Sequence, residues 1–253
     1  MEENQPLLNE ENKKKAEQLI EQELEKKVES EIKKEIRRGF IFKVYGLLFF
    51  QLTLTFFFVY LANEIKSLRN FIIYHYWLYI FISLIPLGIM ILVIFKPQTT
   101  RRVPSNYILL FIFTICEGYF LALFTLVFQR KSTYISLLLT LIAVITLTIY
   151  AFISKNDFTQ CEGILWVLLV LHFFGVLFMV IFRLSILYIF LNILGIGLFS
   201  LYLIYDIQLI EGNQEYKLSE DDYILGVIML YLDIISNIIN LFLYILSFFL
   251  KNN

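Results

Sequence analysis

Residues 197–212, "GLFSLYLIYDIQLIEG", are apolar enough to lie inside a bilayer, yet they carry Asp206 near their end. An ionised carboxylate in hydrocarbon is costly, so an acid on a membrane helix normally faces the bundle interior and has a partner there. If this stretch crosses a membrane, the remainder of the chain must supply both the surrounding helices and the partner of Asp206.

The composition indicates an integral membrane protein. Hydrophobic residues make up 59% of the chain, whereas soluble domains contain about 45–50%. Each apolar run is long enough to cross the hydrocarbon as a helix, which satisfies its own backbone hydrogen bonds. The sequence therefore predicts an all-α fold, a membrane domain over residues 39–250, and no room for a sizeable soluble domain. The seven predicted spans are residues 39–62, 77–95, 106–128, 134–153, 163–182, 184–205 and 223–250.

The first 38 residues form a tail rich in Glu and Lys, with no apolar segment typical of a cleaved signal peptide. An apolar residue recurs there at every fourth position, which on a helix makes a narrow, drifting stripe. The tail is expected to be cytosolic and partly helical or disordered; a partner-binding or bilayer-surface helix is the alternative. The stripe consists of Ala16, Ile20, Leu24, Val28, Ile32 and Ile36.

Basic residues favour a cytosolic N-terminus. They precede the first span and follow the second, and such residues accumulate on the cytoplasmic side of membranes. An odd number of spans then places the short tail of residues 251–253 on the opposite side, unless one helix is re-entrant. The basic residues are Lys33, Lys34, Arg37, Arg38, Lys96, Arg101 and Arg102.

The last two spans each carry a polar stripe with one aspartate. Polar and small residues on one face of a membrane helix usually point into the bundle. Because a short loop makes these spans antiparallel neighbours, Asp206 and Asp233 are predicted to reach hydrogen-bonding distance. Such a pair would share one proton near neutral pH and act as a proton sensor; simple attachment of one helix to the other is the alternative. The stripes are Asn192, Gly195, Phe199, Tyr202 and Asp206, and Gly226, Met229, Asp233, Asn237 and Asn240.

The connection "EGNQEYKLSEDDY" contains two helix-end signals. Gly212 is predicted to end the sixth span as its C-cap. Ser219, followed three positions later by Asp222, is predicted to form an N-capping box for the seventh.

Glu117 is a third acid, in the middle of the third span. One interpretation is a cation path formed by Glu117, Asn237 and Asn240 together with Asp206 and Asp233, which would bind Ca²⁺ transiently, because Ca²⁺ prefers oxygen ligands. The alternative is that Glu117 only packs. The two cysteines and two histidines give no disulfide or metal-binding spacing.

Several stretches resemble the Bax inhibitor family, in particular its Lifeguard branch. The most specific is "LFSLYLIYDIQLIEG" followed by "LSEDDYILGVIMLYLDIISNIINLFLYIL"; "IRRGFIFKVYGLLFFQLTLT", "RRVPSNYILLFIFTICEGY" and "SKNDFTQCEG" agree in order. The resemblance implies seven helices with the last one central, and a pH-sensitive Ca²⁺ leak gated by an aspartate pair, here Asp206 and Asp233. It also implies an arginine that pairs with the aspartates in one state, for which Arg101 and Arg102 are nearest in sequence.

Two positions depart from the pattern of many Lifeguard members. Phe42 stands where many have a basic residue, and Met229 stands where many have an asparagine, one turn before Asp233. Met229 removes a hydrogen-bonding group near the aspartates, which bears on the pH at which they respond.

The expected function is a pH-sensitive Ca²⁺ leak channel of the endoplasmic reticulum or Golgi that regulates Ca²⁺ homeostasis and restrains apoptosis-like cell death. Its expected partners are the bilayer, Ca²⁺, protons, and cell-death regulators or other channels, with no resident cofactor and no nucleic acid. A non-conducting scaffold is one alternative. An intramembrane aspartyl protease is another, since Tyr205-Asp206 fits one half of its site; "LYLD" at the second aspartate lacks the Gly-x-Gly-Asp of such enzymes.

Overall fold

The computed structural model describes residues 5–127, 130–182 and 185–251, and within these ranges it is helical with no strand. Seven of the helices are long and apolar enough to cross a membrane, which confirms the predicted all-α, seven-span fold. Residues 252–253 of the predicted C-terminal tail lie outside the described residues. The helices are α1 Gln5–Glu64, α2 Lys66–Tyr74, α3 Leu78–Phe95, α4 Ser105–Val127, α5 Arg130–Ile153, α6 Glu162–Phe182, α7 Ser185–Glu211 and α8 Tyr223–Lys251.

The tail and the first span form one continuous helix, α1. Its polar half carries the ion pairs Lys33–Glu29, four residues apart, and Lys34–Glu31, three apart, at spacings that support a helix in water. The apolar stripe of this half is more than half exposed at Ile20, Leu24, Val28, Ile32 and Ile36. The predicted boundary at residue 38 is thus a change of surroundings and not an end of the helix.

Helix α2 is a short element that the apolar runs did not predict. It lies between the first and second spans and buries Ile72, while most of its other side chains remain partly or fully exposed. Its nine residues are too few to cross the hydrocarbon. It therefore connects two spans.

Helix α8 is the centre of the bundle, as expected. In its most apolar region 67% of the residues are buried, against 56% in α4 and 6% in α6. It packs against α7, α5, α1 and α4. Because lipid tails are as apolar as leucine, close packing and hydrogen bonds hold such helices together. In the first third of α8, Tyr231 is fully buried and its hydroxyl lies 2.8 Å from the Thr55 hydroxyl of α1.

Four segments meet at one end of the bundle: residue 37 of α1 and the connections 96–104, 154–161 and 212–222. Hydrogen bonds join the 212–222 connection to each of the other three segments. These bonds run from Arg37 to Leu218, from Arg101 to Asp222 and from Gln160 to Glu215. Seven crossings require all four segments to lie on the same side of the membrane. The described end of α8 lies at the opposite end of the bundle.

Asp157 holds two of these connections together. Its carboxylate accepts hydrogen bonds from the backbone and hydroxyl of Thr159, from Gln160 and from the backbone N–H of Glu215. The hydrogen bond from the Thr159 hydroxyl contributes most to lowering the pKa of Asp157 below its usual value, and the backbone N–H of Glu215 adds to it. The ionised form of Asp157 is thus the form that stabilises the folded loops.

Replacing Asp157 by Ala is expected to lower the free energy of unfolding by about 1 kcal/mol, the usual cost of losing a capping carboxylate. The melting temperature should fall by about 2–4 °C. The native contribution of Asp157 is present above its unfolded pKa of about 4 and is lost as the pH falls through the lowered folded value. Thermal unfolding in detergent micelles measures both effects.

Asp157→Asn serves as the conservative variant, because its amide oxygen still accepts the bonds from Thr159, and it should lose less than Asp157→Ala. Lys155→Ala changes an exposed neighbour and should melt like the native chain. If Asp157→Ala also melts at the native temperature, the carboxylate does not stabilise these loops.

Candidate functional site

Asp206 and Asp233 meet between α7 and α8, as their spacing predicts. Their side chains lie within hydrogen-bonding range of each other, and the residues are only 3% and 6% exposed. Asp206 Oδ1 and Asp233 Oδ2 have no hydrogen-bond partner within the described chain. Two ionised carboxylates contain no donor, so a hydrogen bond between them requires one proton.

The pair lies inside the bundle but nearer to one end. Asp206 precedes the last residue of α7 by about one and a half turns, and Asp233 follows the first residue of α8 by nearly three turns. The pair therefore lies closer to the 212–222 connection than to the far ends of these helices.

An apolar layer from three helices surrounds one side of the pair. Leu165 of α6, with Leu198, Tyr205 and Leu209 of α7, forms a small cluster of its own. Tyr202 and Met229 pack against it from α7 and α8. Met229 is thus part of the wall one turn from Asp233, where a polar side chain would have offered a hydrogen bond.

A line of polar side chains continues from the pair along the α7–α8 contact. The Ser200 hydroxyl donates to Asn237 Oδ1 at 3.5 Å. Farther along, a Cβ on Gly195 would lie 2.4 Å from Asn240 Oδ1, so only glycine leaves room for the Asn240 amide there. Asn240 Nδ2 donates to the Ser236 carbonyl. The structure thus places Asn237 and Asn240 on the same helix contact as the aspartates.

Glu117 lies on the other side of α8. It interacts electrostatically with Tyr79 of α3 and Tyr231 of α8. Tyr231 and Asp233 are two positions apart and hence about 200° apart around the helix. The structure therefore places Glu117 against a different face of α8 from Asp233, and one path lined by all three acids stays a prediction.

Glu117→Gln is expected to leave the pH dependence of any ion flux unchanged within about twofold, because α8 separates residue 117 from the pair. Flux into proteoliposomes measured across pH 6 to 8 tests this. A Glu117→Gln profile that becomes flat would show that Glu117, despite its position, belongs to the sensor.

Arg101 pairs with Asp222 rather than with the aspartate pair. Its guanidinium donates two hydrogen bonds of 2.7 Å each to the Asp222 carboxylate, and this contact raises the pKa of Arg101. Arg102 is exposed. In this structure neither arginine therefore serves as the predicted counter-charge of Asp206 and Asp233.

Two helix-end predictions concern the 212–222 connection: the C-cap at Gly212 and the capping box from Ser219 to Asp222. Gly212 ends α7 with a positive φ of 73°, and its N–H donates to the Gln208 carbonyl, so the C-cap prediction is confirmed. Helix α8 begins at Tyr223, which places Asp222 and not Ser219 before its first residue. The capping box is therefore wrong, and Asp222 binds Arg101 instead.

Gln208 is a site residue that the polar stripes missed. It is fully buried, and its amide accepts from the Phe158 N–H at 2.8 Å and donates to the Asn156 carbonyl at 2.9 Å. These bonds tie α7, two residues beyond Asp206, to the 154–161 connection. The sequence feature that could have indicated Gln208 is an amide side chain within an apolar run, on a different face of the helix from Asp206.

The described residues contain no group of three or more His, Cys, Asp or Glu side chains that could hold a metal ion. Cys116 and Cys161 are free thiols. A cation at the pair would therefore be bound by two carboxyl groups and by neutral oxygens, a weak set of ligands compared with a dedicated calcium site. Weak binding is what conduction requires, since an ion must leave the site as readily as it enters.

A seven-helix membrane bundle with a buried acid pair between its last two helices defines the class of this protein. The family model described as "Inhibitor of apoptosis-promoting Bax1" matches residues 37–253. The chain belongs to the Bax inhibitor family, and its similarity to lifeguard proteins supports the Lifeguard resemblance.

Three relatives illustrate this membership. The chain is 32% identical to Protein lifeguard 3 of Homo sapiens over 207 residues, which are 79% of this chain and 65% of that protein. It is 32% identical to Protein lifeguard 3 of Mus musculus over a match that covers 79% of this chain and 66% of that protein. It is 31% identical to Bax inhibitor 1 of Schizosaccharomyces pombe over a match that covers 86% of this chain and 79% of that protein. The chain thus spans just under two thirds of the lifeguard proteins' length.

Proposed function

We propose that this multi-pass membrane protein is a Ca²⁺ leak channel gated by the proton that Asp206 and Asp233 share. The observation that supports this most is the buried carboxyl pair at hydrogen-bonding range, with one oxygen of each residue unpartnered. These oxygens are suitable ligands for a passing cation.

Protonation of the pair is the switch in this mechanism. With one shared proton the pair carries a single negative charge and a hydrogen bond that holds α7 to α8. When the proton leaves, the two carboxylates repel each other and the hydrogen bond is lost. A hydrogen bond to a charged group contributes about 1.5–3 kcal/mol, and about 2.7 kcal/mol shifts a closed-to-open balance a hundredfold. One proton is therefore sufficient to gate the helices.

The path proposed for the ion follows the α7–α8 contact. It passes the pair and then the amides of Asn237 and Asn240, whose oxygens are neutral ligands of the kind Ca²⁺ accepts. The pair lies nearer the end of the bundle that also holds residue 37, and we place this end in the cytosol. On this account no resident cofactor takes part, and Ca²⁺ is the transported ion.

The cellular role proposed is the control of Ca²⁺ in the lumen of the endoplasmic reticulum or Golgi. A regulated leak lowers the store that a death signal can release, which would restrain cell death. Other channels or cell-death regulators would then be its partners.

Ca²⁺ entry into proteoliposomes that contain an indicator dye tests the channel directly. The purified chain should admit Ca²⁺ at a rate that changes between pH 6 and pH 8, whereas protein-free liposomes should not. No flux at any pH would contradict the channel function. Cleavage of a membrane-spanning peptide by the same preparation would favour the protease instead.

A scaffold is the second candidate function, and the exposed stripe on α1 favours it. Deleting residues 1–35 separates the two functions in cells. If the protein acts as a channel, this deletion should either preserve both Ca²⁺ flux and cell protection or abolish both. Loss of protection with intact flux would indicate that partners bound by the tail carry the activity.

A further inference from the structure

Arg37 makes an unusually complete set of contacts for a residue at the start of a membrane span. Its guanidinium donates to the carbonyls of Leu209 at 2.5 Å, Leu218 at 2.6 Å and Glu211 at 3.1 Å, and to the Glu220 carboxylate at 3.3 Å. Its side chain is only 12% exposed. One α1 side chain thus binds both the last turn of α7 and the 212–222 connection.

These contacts satisfy groups that a helix end leaves open. The last carbonyls of an α-helix have no intrahelical donor, and a cation is favoured beside them. At the end of α7, Arg37 supplies both the hydrogen-bond donors for these carbonyls and the positive charge beside them. Three of its four partners are backbone carbonyls, so the contact depends on the path of the chain more than on one acid.

Gly212 shows that the chain turns closely around Arg37. Its φ of +73° favours glycine, and a Cβ at this position would lie 2.5 Å from Arg37 Nε. Glycine therefore serves two purposes here. It adopts the left-handed turn, and it leaves the space that the guanidinium occupies.

The Arg37 contact lies one turn from the aspartate pair. Leu209, whose carbonyl accepts from Arg37, follows Asp206 by three residues on α7. The start of α8 is held separately, because Asp222 directly precedes it and binds Arg101. Two arginines from different parts of the chain thus hold the two helices that carry the aspartates.

We infer that Arg37 is a positioning residue of the gate, which holds the end of α7 at the height and rotation that bring Asp206 to Asp233. Any effect of Arg37 on ion flux rests on the proposed channel function. The effect of Arg37 on the geometry of the aspartate pair does not depend on ion flux. Without Arg37 the end of α7 loses its attachment to the start of the first span, while Gln208 and Asp222 keep their own bonds. The end of α7 then shifts, and the carboxyl groups separate.

Arg37 acts on the pair through α7, since every hydrogen-bond partner that it has in the described chain lies at positions 209–220. The titratable groups that interact electrostatically around the pair are Tyr202 and Tyr205 of α7 and Glu162 of α6. On the α1 side, Tyr45 interacts with Glu211. These groups remain in an Arg37 variant, and Gly212→Ala also keeps the Arg37 charge, so a change of the pair in both variants reports its geometry.

Arg37→Gln and Arg38→Gln are a matched pair of variants. Both remove one positive charge from adjacent positions of α1, but Arg38 is exposed. Arg37→Lys keeps the charge but replaces a planar fork of donors by a single ammonium group, so it should restore the native behaviour only in part. Gly212→Ala disturbs the same contact from the opposite side and leaves the arginine in place.

Two measurements test the inference on the purified full-length chain. Amide hydrogen exchange should rise across residues 206–222 in Arg37→Gln. Infrared titration should show the proton affinity of the carboxyl pair changed by at least about threefold, half a pH unit. Gly212→Ala should change both in the same direction, and Arg38→Gln should match the native chain in both.

Faster exchange in Arg37→Gln with an unchanged carboxyl titration would overturn the inference, because Arg37 would then only stabilise the loop. Native exchange rates would overturn it as well, and so would equal effects of Arg37→Gln and Arg38→Gln. If the native chain conducts no Ca²⁺ but Arg37→Gln and Gly212→Ala change both exchange and titration while Arg38→Gln does not, the channel proposal fails and the positioning role stands.

Discussion

Asp206→Asn and Asp233→Asn are each expected to abolish the pH dependence of Ca²⁺ flux. In the native protein the rates at pH 6 and pH 8 should differ by roughly tenfold or more, since a single proton changes both a hydrogen bond and a charge between α7 and α8. Asparagine can donate a hydrogen bond permanently but cannot release a shared proton. In either variant the two rates should therefore agree within about twofold, as indicator-loaded proteoliposomes would show.

Glu117→Gln is the control for these variants, because it also removes a buried acid from the bundle and lies across α8 from the pair. It should keep the native pH profile. Both aspartate variants should also elute as folded protein in size-exclusion chromatography. A native pH profile in both Asp206→Asn and Asp233→Asn would contradict the gating role of the pair.

Tyr231→Ala is expected to have the largest effect on stability. The residue is fully buried in the first third of α8, where its ring packs edge-on against Phe113 of α4 and its hydroxyl contacts Thr55 of α1. Removing a buried aromatic ring costs about 3–5 kcal/mol. The melting temperature in detergent should fall by on the order of 10 °C.

Tyr231→Phe separates the ring from the hydroxyl. It keeps the packing and loses one hydrogen bond, which contributes about 0.5–1.5 kcal/mol, so it should melt only a few degrees below the native chain. Tyr244→Ala, on the same helix but 39% exposed, should have a smaller effect than Tyr231→Ala. Equal losses at residues 231 and 244 would contradict the central position of α8.

The aspartate pair could be predicted because its signals are local. Each aspartate ends or interrupts a polar stripe at helical spacing, and the short connection between the two spans leaves them antiparallel neighbours. The C-cap at Gly212 was predictable for the same reason, since a turn with positive φ favours glycine.

Contacts between distant parts of the chain could not be predicted in this way. The spacing around Glu117 shows which face of its helix is polar, but not that α8 lies between this face and the aspartates. The charges of Arg37 and Arg101 indicated a membrane side, while their partners lie more than a hundred residues away. Asp222, not Ser219, directly precedes α8, and its partner Arg101 lies in a distant connection.

The extent of α1 was missed for another reason. Hydrophobicity marks where a chain enters the bilayer, and it changes near residue 38. Helix formation depends on propensity and, in the polar half, on charge pairs such as Lys33–Glu29, and the helix continues without a break across this point. The two properties change at different positions, so the polar tail and the first span form one helix.

The most direct test of the account is infrared spectroscopy of the purified chain during a titration from pH 6 to pH 8. The native protein should show the band of a protonated carboxyl group that disappears over the pH range in which Ca²⁺ flux changes. The band should be absent or displaced in Asp206→Asn and unchanged in Glu117→Gln. A band that is unaffected by Asp206→Asn, or that titrates outside the range of the flux change, would contradict a gate operated by a shared proton.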